Sequence, residues 1–433
     1  MPAETAAIAL LEHPAALQQW LEEHRGEPAW LREWRWFCAR QAQDRLTWPE
    51  SRYTRLTGFH PERYGWPTSL HTVEHPQGQL DPTYTWIIIR DDTIFVEPPR
   101  PEWQAGVRIT RFRTLVEQND PRLLAFLKEE TLIPLDLSRA SAYLLGLWQD
   151  GLWIEFLGTT SDTVPHIGIR IERTRSGEVL NIPIVIRTHP HGSGTVLLEM
   201  TAASAHLEGM AIVGLDVTVG QDGALNLQCV WNDAERAYDF VFYQAAVHRD
   251  GRLQWASGWF GGRLTQGRHH IRLHAPGADL RDVHVLFGHE RQHFDTQLYV
   301  QHLGPYTTSD VLMRGVLKDR ARNVFYGMVR LEPEAQNADA FLADHILMLN
   351  PGAHADAIPA LEIEANQVRC GHSASVGEID EEQLFYLMSR GLDEQTARKL
   401  IVEGFLAPAI EAIKLKDVRE RILTGITRKW AEE

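Results

Sequence analysis

His166-Ile167-Gly168-Ile169-Arg170-Ile171 decides the fold class. Ile167, Ile169 and Ile171 face one way and His166, Gly168 and Arg170 the other, which is the period-two pattern of a strand. Comparable runs recur on both sides of it, from Trp153–Leu157 through Ile182–Ile186, Val196–Leu198, Ile212–Val219, Leu225–Val230, Val283–Phe287, Val311–Leu317 and Val324–Val329 to Ile346–Leu349. Their spacing is mostly ~10–17 residues, with Gly, Asp, Asn and Pro between and no long helix intervening. That combination leaves a sandwich, a barrel or a solenoid. Over 200 residues of such strands, from about Leu144 to Ile363, is large for one sandwich, whereas a solenoid stacks short strands without a size limit. The expectation is therefore a mainly β chain with a right-handed parallel β-helix core over residues 144–370, although no strict repeat is visible.

The flanks read as helical. Residues 1–80 form an N-terminal helical region that turns loop-rich, with Ile8, Leu11, Ala15, Leu17, Trp20 and Leu21 as an amphipathic stripe interrupted near Pro14. Seven of the 14 Trp fall between Trp20 and Trp86 with no regular spacing, so they read as core filling rather than a ligand cage. Residues 81–143 hold a hairpin over 83–97 turning at Asp91-Asp92, a linker at Pro98, Pro99 and Pro101, then a short strand and a helix with Leu123, Leu124, Phe126 and Leu127 as its apolar side. Residues 371–433 read as three short helices. The first is capped by Asp380 and ends at Gly391, the second is capped by Asp393 and ends at Gly404, and the third carries Val418, Ile422, Ile426 and Trp430.

Composition narrows the function. With 43 Lys+Arg against 58 Asp+Glu the formal charge is −15, which argues against a nucleic-acid or anionic-membrane binder. The first 30 residues lack the basic start of a signal peptide, and no apolar run reaches the ~18 residues of a membrane span, so a cytoplasmic protein is expected. Three cysteines, Cys38, Cys229 and Cys370, are too few for a four-Cys metal site.

His289-Glu290-Arg291-Gln292-His293 matches H-E-x-x-H, but zinc protease chemistry needs a helix, and this segment follows a strand and reads as a turn. The pairs His189/His191 and His269/His270 also read as surface histidines on turns. No phosphate loop occurs, so no nucleotide should bind directly in that way, and no G-x-S-x-G elbow occurs. Cys229 and Cys38 read as packed thiols. Cys370-Gly371-His372 differs. A thiol and an imidazole two positions apart on an extended segment point the same way and can reach one metal ion or cluster, in a site completed by another subunit or holding its cargo transiently.

The C-terminal third resembles the SufB/SufD family of iron–sulfur cluster assembly proteins. The resemblance rests on Arg314-Gly315-Val316-Leu317, Ala321-Arg322-Asn323-Val324-Phe325-Tyr326-Gly327, Ala335-Gln336-Asn337-Ala338-Asp339-Ala340, Leu361-Glu362-Ile363-Glu364-Ala365, the run Val368 to Gly377, and Leu384 to Gly391. Weaker likeness appears at Trp48-Pro49-Glu50-Ser51-Arg52-Tyr53-Thr54. The Cys370–His372 stretch and Ser389-Arg390-Gly391 are of the SufD type, while Ser373 and Asp344 stand roughly where SufB carries a Glu and a cluster-associated Cys. The resemblance implies a non-catalytic subunit with helical ends around a β-helix. It would pair with a SufB-like paralogue and dock a SufC-like ABC ATPase on its C-terminal helices. The implied cargo is a transient iron–sulfur cluster shared with the partner, with Cys370 and His372 at that interface and a flavin left open. Leu384, Phe385, Tyr386, Arg390, Gly391 and Phe405 are the implied ATPase-docking residues. A stand-alone homodimeric scaffold and a β-helix enzyme acting on polysaccharide are the rival readings. The second lacks a secretion signal and a paired-carboxylate motif.

Overall fold

The computed structural model describes residues 20, 22, 24, 26–67, 70–74, 80–158 and 163–431. The predicted helical stripe through Ile8, Leu11, Ala15, Leu17 and Leu21 lies outside them. At the centre is a β-solenoid of about eight turns. From Leu152 onward the chain lays its strands alternately into a nine-stranded sheet, which ends at His354–Ile363, and an eleven-stranded sheet, which ends at Arg369–Glu378. Pairing between coils is parallel, and Ser193–Ala224 and Ala224–Arg252 register partners set a coil of 28 to 31 residues. The predicted hairpin forms as Thr85–Arg90 against antiparallel Thr93–Val96, turning at Asp91 with φ 47°. It extends the eleven-stranded sheet rather than standing apart from it.

Alternation positions the core. Ile167, Ile169 and Ile171 are fully buried in the solenoid interior, each worth ~1.5–3 kcal/mol of burial. Between them Gly168 lies under the Trp86 ring, whose nearest atom would be 2.6 Å from an added Cβ, so a side chain there would displace the indole.

The coils turn through left-handed residues. At one corner His191, Asp222, Asp250, Gly277, Tyr306 and Asn337 all have positive φ, one in each of six successive coils. Their amides stitch coil to coil, as in Asp222 N–H donating to Arg249 O at 2.9 Å and Tyr306 N–H to Gln336 O at 2.9 Å. Asp, Asn and Gly tolerate this region best, so the repeat is conformational and no single residue type marks it.

Helices cover both outer faces. Ala29–Arg45 and Arg139–Gly146 pack Ala39, Ala42, Tyr143 and Leu144 against Val179, Ile212 and Phe240 of the nine-stranded sheet. Glu394–Ala412 and Lys416–Ala431 pack Val402, Leu406, Ile410 and Ile422 against Val283, Val285, Phe287 and Val316 of the other. Strands beneath helices are therefore buried on both faces, as Arg236–Val247 is nearly throughout, whereas uncovered His293–His302 alternates. Of the seven tryptophans, Trp20, Trp34, Trp66 and Trp86 are buried and fill core, Trp30 and Trp48 are partly buried, and Trp36 is exposed.

Three details of the sequence reading change. The last solenoid strand runs Arg369–Glu378, past the boundary at residue 370 that the sequence suggests for the helical domain. The helix capped by Asp393 does not stop at Gly404 but continues to Ala412, with Pro408 inside it. Val402, Leu406, Ala409 and Ile410 are all buried, and that packing outweighs the hydrogen bond Pro408 cannot make. His269 and His270 lie on the strand Leu264–Leu273 and not on a turn. The caps at Asp380 and Asp393 form as expected: Asp380 accepts from Glu382 N–H and Asp393 from Thr396 N–H, and Gly391 follows the first helix with φ 95°.

Candidate functional site

The C-terminal end of the solenoid is open. His354–Ile363 and Arg369–Glu378, ten residues each, are the last strands of their sheets, with a strand partner on one side only among the described residues. Preceding strands bury most of their length, but these are intermediate or exposed along theirs. Long uncovered edges of this kind are templates for pairing with another chain.

Cys370 and His372 sit on this terminal strand. Cys370 is in register with Ala340 and His372 with Leu342, both interior residues of the preceding coil. The pair therefore lies on the face that would be interior if another coil followed. Here Cys370 is half-buried, packing on the core, and His372 is exposed. Burial, and secondarily the Asp339 carboxylate, raise the Cys370 thiol above its ordinary value. The sulfur thus holds its proton at neutral pH. Phe341, Ile363 and Val376 add exposed apolar surface at this end.

The sequence marks Asp344, one strand back, only as a departure from SufB, which carries a cluster-associated Cys roughly there, and not as a buried carboxyl. It faces the interior between Met313 and Ala374, fully buried, with neither carboxylate oxygen hydrogen-bonded among the described residues. Desolvation alone pushes its pKa up to about 8. An Asp on the inward face of an alternating strand is the signal that could have exposed it.

The second candidate surface is the helix Glu381–Ser389. Phe385 is 73% exposed and Tyr386 56%, and Met388 and Leu400 are exposed beside them. Arg390 lies over the Tyr386 ring and donates to its hydroxyl at 3.2 Å. Leu384 and Phe405 differ from this set. Leu384 is buried, and Phe405 packs on the apolar cluster that holds the helices to the sheet, where Arg314 Nη1 donates to its carbonyl at 2.6 Å.

The H-E-x-x-H match is a turn, as expected. It links Asp279–Gly288 to His293–His302, and Glu290 has φ 51°. His289 faces Glu235 at 3.1 Å and Lys429 at 2.9 Å, whereas His293 meets Thr54 at 3.1 Å, so the two imidazoles do not converge. Cys38 and Cys229 are fully buried, and burial pushes Cys229 up to about 12, as packed thiols require. Among the described residues no helix is long and apolar enough to cross a membrane.

Comparison with known proteins agrees with this architecture. Residues 171–405 match the model of the SufBD core domain of the SUF system for iron–sulfur cluster assembly. The chain is 26% identical over 432 residues to the iron–sulfur cluster assembly protein SufD of Bacillus subtilis (strain 168), across 95% of this chain and 97% of that protein. It is 30% identical over 305 residues to an iron–sulfur cluster assembly SufBD family protein of Mycobacterium leprae (strain TN), across 68% and 75% of the two chains. A SufBD family protein of Mycobacterium tuberculosis (strain ATCC 25618 / H37Rv) is 29% identical over 321 residues, across 72% and 77%. A parallel solenoid flanked by helices, matched through its core and on over both flanks, thus belongs to the SufBD family of iron–sulfur cluster assembly proteins.

Proposed function

We propose that this chain is a non-catalytic, SufD-like subunit of an iron–sulfur cluster assembly complex. It pairs with a SufB-like scaffold through its open solenoid end and docks a SufC-like ABC ATPase through the helix Glu381–Ser389. The observation that carries this reading is the terminal strand itself, which combines an unpaired edge with a thiol and an imidazole on one face. A partner strand would satisfy the edge by β-augmentation and enclose Cys370 and His372. The thiolate is a soft ligand for iron and the neutral imidazole a workable second one, so the partner completes the cluster's coordination. Phe385, Tyr386 and Met388 are large apolar groups in water on one short helix, which supports a contact surface there. Closure of two ATPase subunits would then pull on helices anchored to the outer face of the same sheet that ends in Cys370.

Anaerobic reconstitution of the co-expressed complex tests both halves. Cys370→Ala and His372→Ala should abolish cluster formation without loss of assembly. Phe385→Ala with Tyr386→Ala should release the ATPase and leave the pairing with the scaffold intact. Full cluster yield from both end-strand variants would refute the site. A chain that never co-purifies with a SufC-like ATPase would refute the role.

A further inference from the structure

One corner of the solenoid gathers positive charge in a chain whose formal charge is −15. Arg236, Arg263, Arg291 and Arg320 stand at the entries to Arg236–Val247, Leu264–Leu273, His293–His302 and Arg322–Leu331, neighbouring strands of the nine-stranded sheet. Strands lie about 4.8 Å apart, so the row spans roughly 14 Å. All four side chains are exposed and line one cleft of about 700 Å³. We propose that this cleft binds a small, multiply charged oxyanion, a phosphoryl or polycarboxylate compound gripped by guanidinium groups from successive coils.

Charge carries the assignment. Among the described residues the side chains of Arg263, Arg291 and Arg320 make no ion pair and no hydrogen bond, and Arg236 meets Glu208 only at 3.5 Å. Like charges set side by side repel, so the row favours an anion that bridges them. Three carboxylates share the lining, those of Glu235, Glu290 and Asp319. Glu235 is already engaged. His289 Nε2 lies 3.1 Å and Lys429 Nζ 3.7 Å from its Oε1, and the hydrogen bond from His289 holds its carboxyl below the ordinary value. Asp319 accepts from the Glu290 amide at 3.0 Å. Four arginines and Lys429 outweigh these three carboxylates and Glu208, so the cleft is net positive by formal charge.

The frame is braced. Glu290 and Asp319 turn with φ 51° and 59°, and Arg320 N–H donates to Glu290 O at 2.9 Å, which ties the turn carrying Arg291 to the turn carrying Arg320. Asp319 N–H donates to Asn350 Oδ1 at 2.7 Å, which ties both to the next coil. Gln292 closes the floor, buried and donating to the carbonyls of Phe260 and Gly262 at 3.1 Å each. Little backbone ordering is left for a ligand to bring about. A guanidinium presents two parallel N–H groups to a carboxylate or phosphate, so adjacent arginines can each take one anionic group of the same ligand. The H-E-x-x-H turn thus supplies Glu290, Arg291 and Gln292 as walls and floor rather than metal ligands. The cleft shares no residue with the open end and stands whether or not the open-end reading does.

Isothermal titration of the full chain, metal-free and at low ionic strength, with pyrophosphate and separately with citrate tests the site. One saturable equivalent is expected, weakening as chloride is raised. Tighter binding of pyrophosphate assigns a phosphoryl ligand, tighter binding of citrate a polycarboxylate, and equal binding a site that reads charge alone. Arg291→Gln combined with Arg320→Gln should weaken binding about tenfold or more. Both side chains are exposed, so the circular dichroism should stay unchanged. Glu290→Gln removes an opposing carboxylate and should tighten binding about threefold, a gain that damage to the fold would not produce. The absence of saturable binding of either anion by the unaltered chain overturns the proposal. Binding that the double arginine variant leaves undiminished, or that Glu290→Gln weakens, overturns it as well.

Discussion

Asp344→Asn should remove a large part of the chain's loss of stability toward alkaline pH. Asp344 is buried one strand from the open end, its oxygens make no hydrogen bond, and burial pushes its pKa up to about 8. In the unfolded chain a carboxyl titrates near ~3.9. A folded value raised above the unfolded one stabilises the protonated state. Its contribution is complete below pH ~3.9 and is lost as pH rises toward about 8. Between those limits folding loses ~1.4 kcal/mol per pH unit. From about pH 5 to about pH 7.5 the wild type should therefore lose ~3 kcal/mol that Asp344→Asn keeps. At ~2 cal/mol/K per residue the same difference is about 3 °C in Tm if the chain unfolds as one unit, and more if the end coils unfold separately. Urea denaturation of both proteins across that range measures it directly. Parallel pH profiles would refute the reasoning, since they would mean that Asp344 is ionised in the folded state and has found a partner or water.

Other consequences follow from single contacts. Alkylation of Cys370 should need a higher pH than that of an exposed thiol, and Asp339→Asn should speed it at fixed pH, as iodoacetamide kinetics would report. Arg314→Ala removes the donor to the Phe405 carbonyl and a cation 5.1 Å from the Phe405 ring. It should cost ~1–3 kcal/mol, read as faster amide exchange in Glu394–Ala412 while the coils stay protected. Asp233→Ala takes from Arg173, which is fully buried, the carboxylate that it bonds through both oxygens, leaving it the Glu178 carbonyl and the Asp239 carboxyl. The expected loss is ~3–5 kcal/mol in chemical denaturation.

Legibility varied with how local each signal was. The hairpin at Asp91-Asp92 and the helix starts at Asp380 and Asp393 are read correctly because a turn or cap is settled by its immediate neighbours. The strand count and the absence of crossover helices pointed to a solenoid. Its repeat stayed hidden because the positions shared by successive coils, His191, Asp222, Asp250, Gly277, Tyr306 and Asn337, agree in φ and not in residue type. Gly404 misleads as a helix end, since the apolar face of Glu394–Ala412 is held by the sheet below it. His269 misleads more sharply. Read beside His270 it looks like a surface pair, but strand alternation sends His269 into the interior and His270 outward, where it meets Gln301 at 3.2 Å.

The sequence by itself determined the fold class, the family resemblance and the placing of a thiol and an imidazole on one strand face, because period-two alternation and a Cys-x-His on one strand are local facts. Tertiary structure decided which groups come together. Coil stacking sets His269 from one sheet against Asp282 and His284 from the other, and leaves the Asp344 carboxylate without a hydrogen bond among the described residues. It also gives the terminal coil an edge with no next coil to cover it. Those relations span whole turns of chain, and the registers that create them exist only once the sheets have closed on each other.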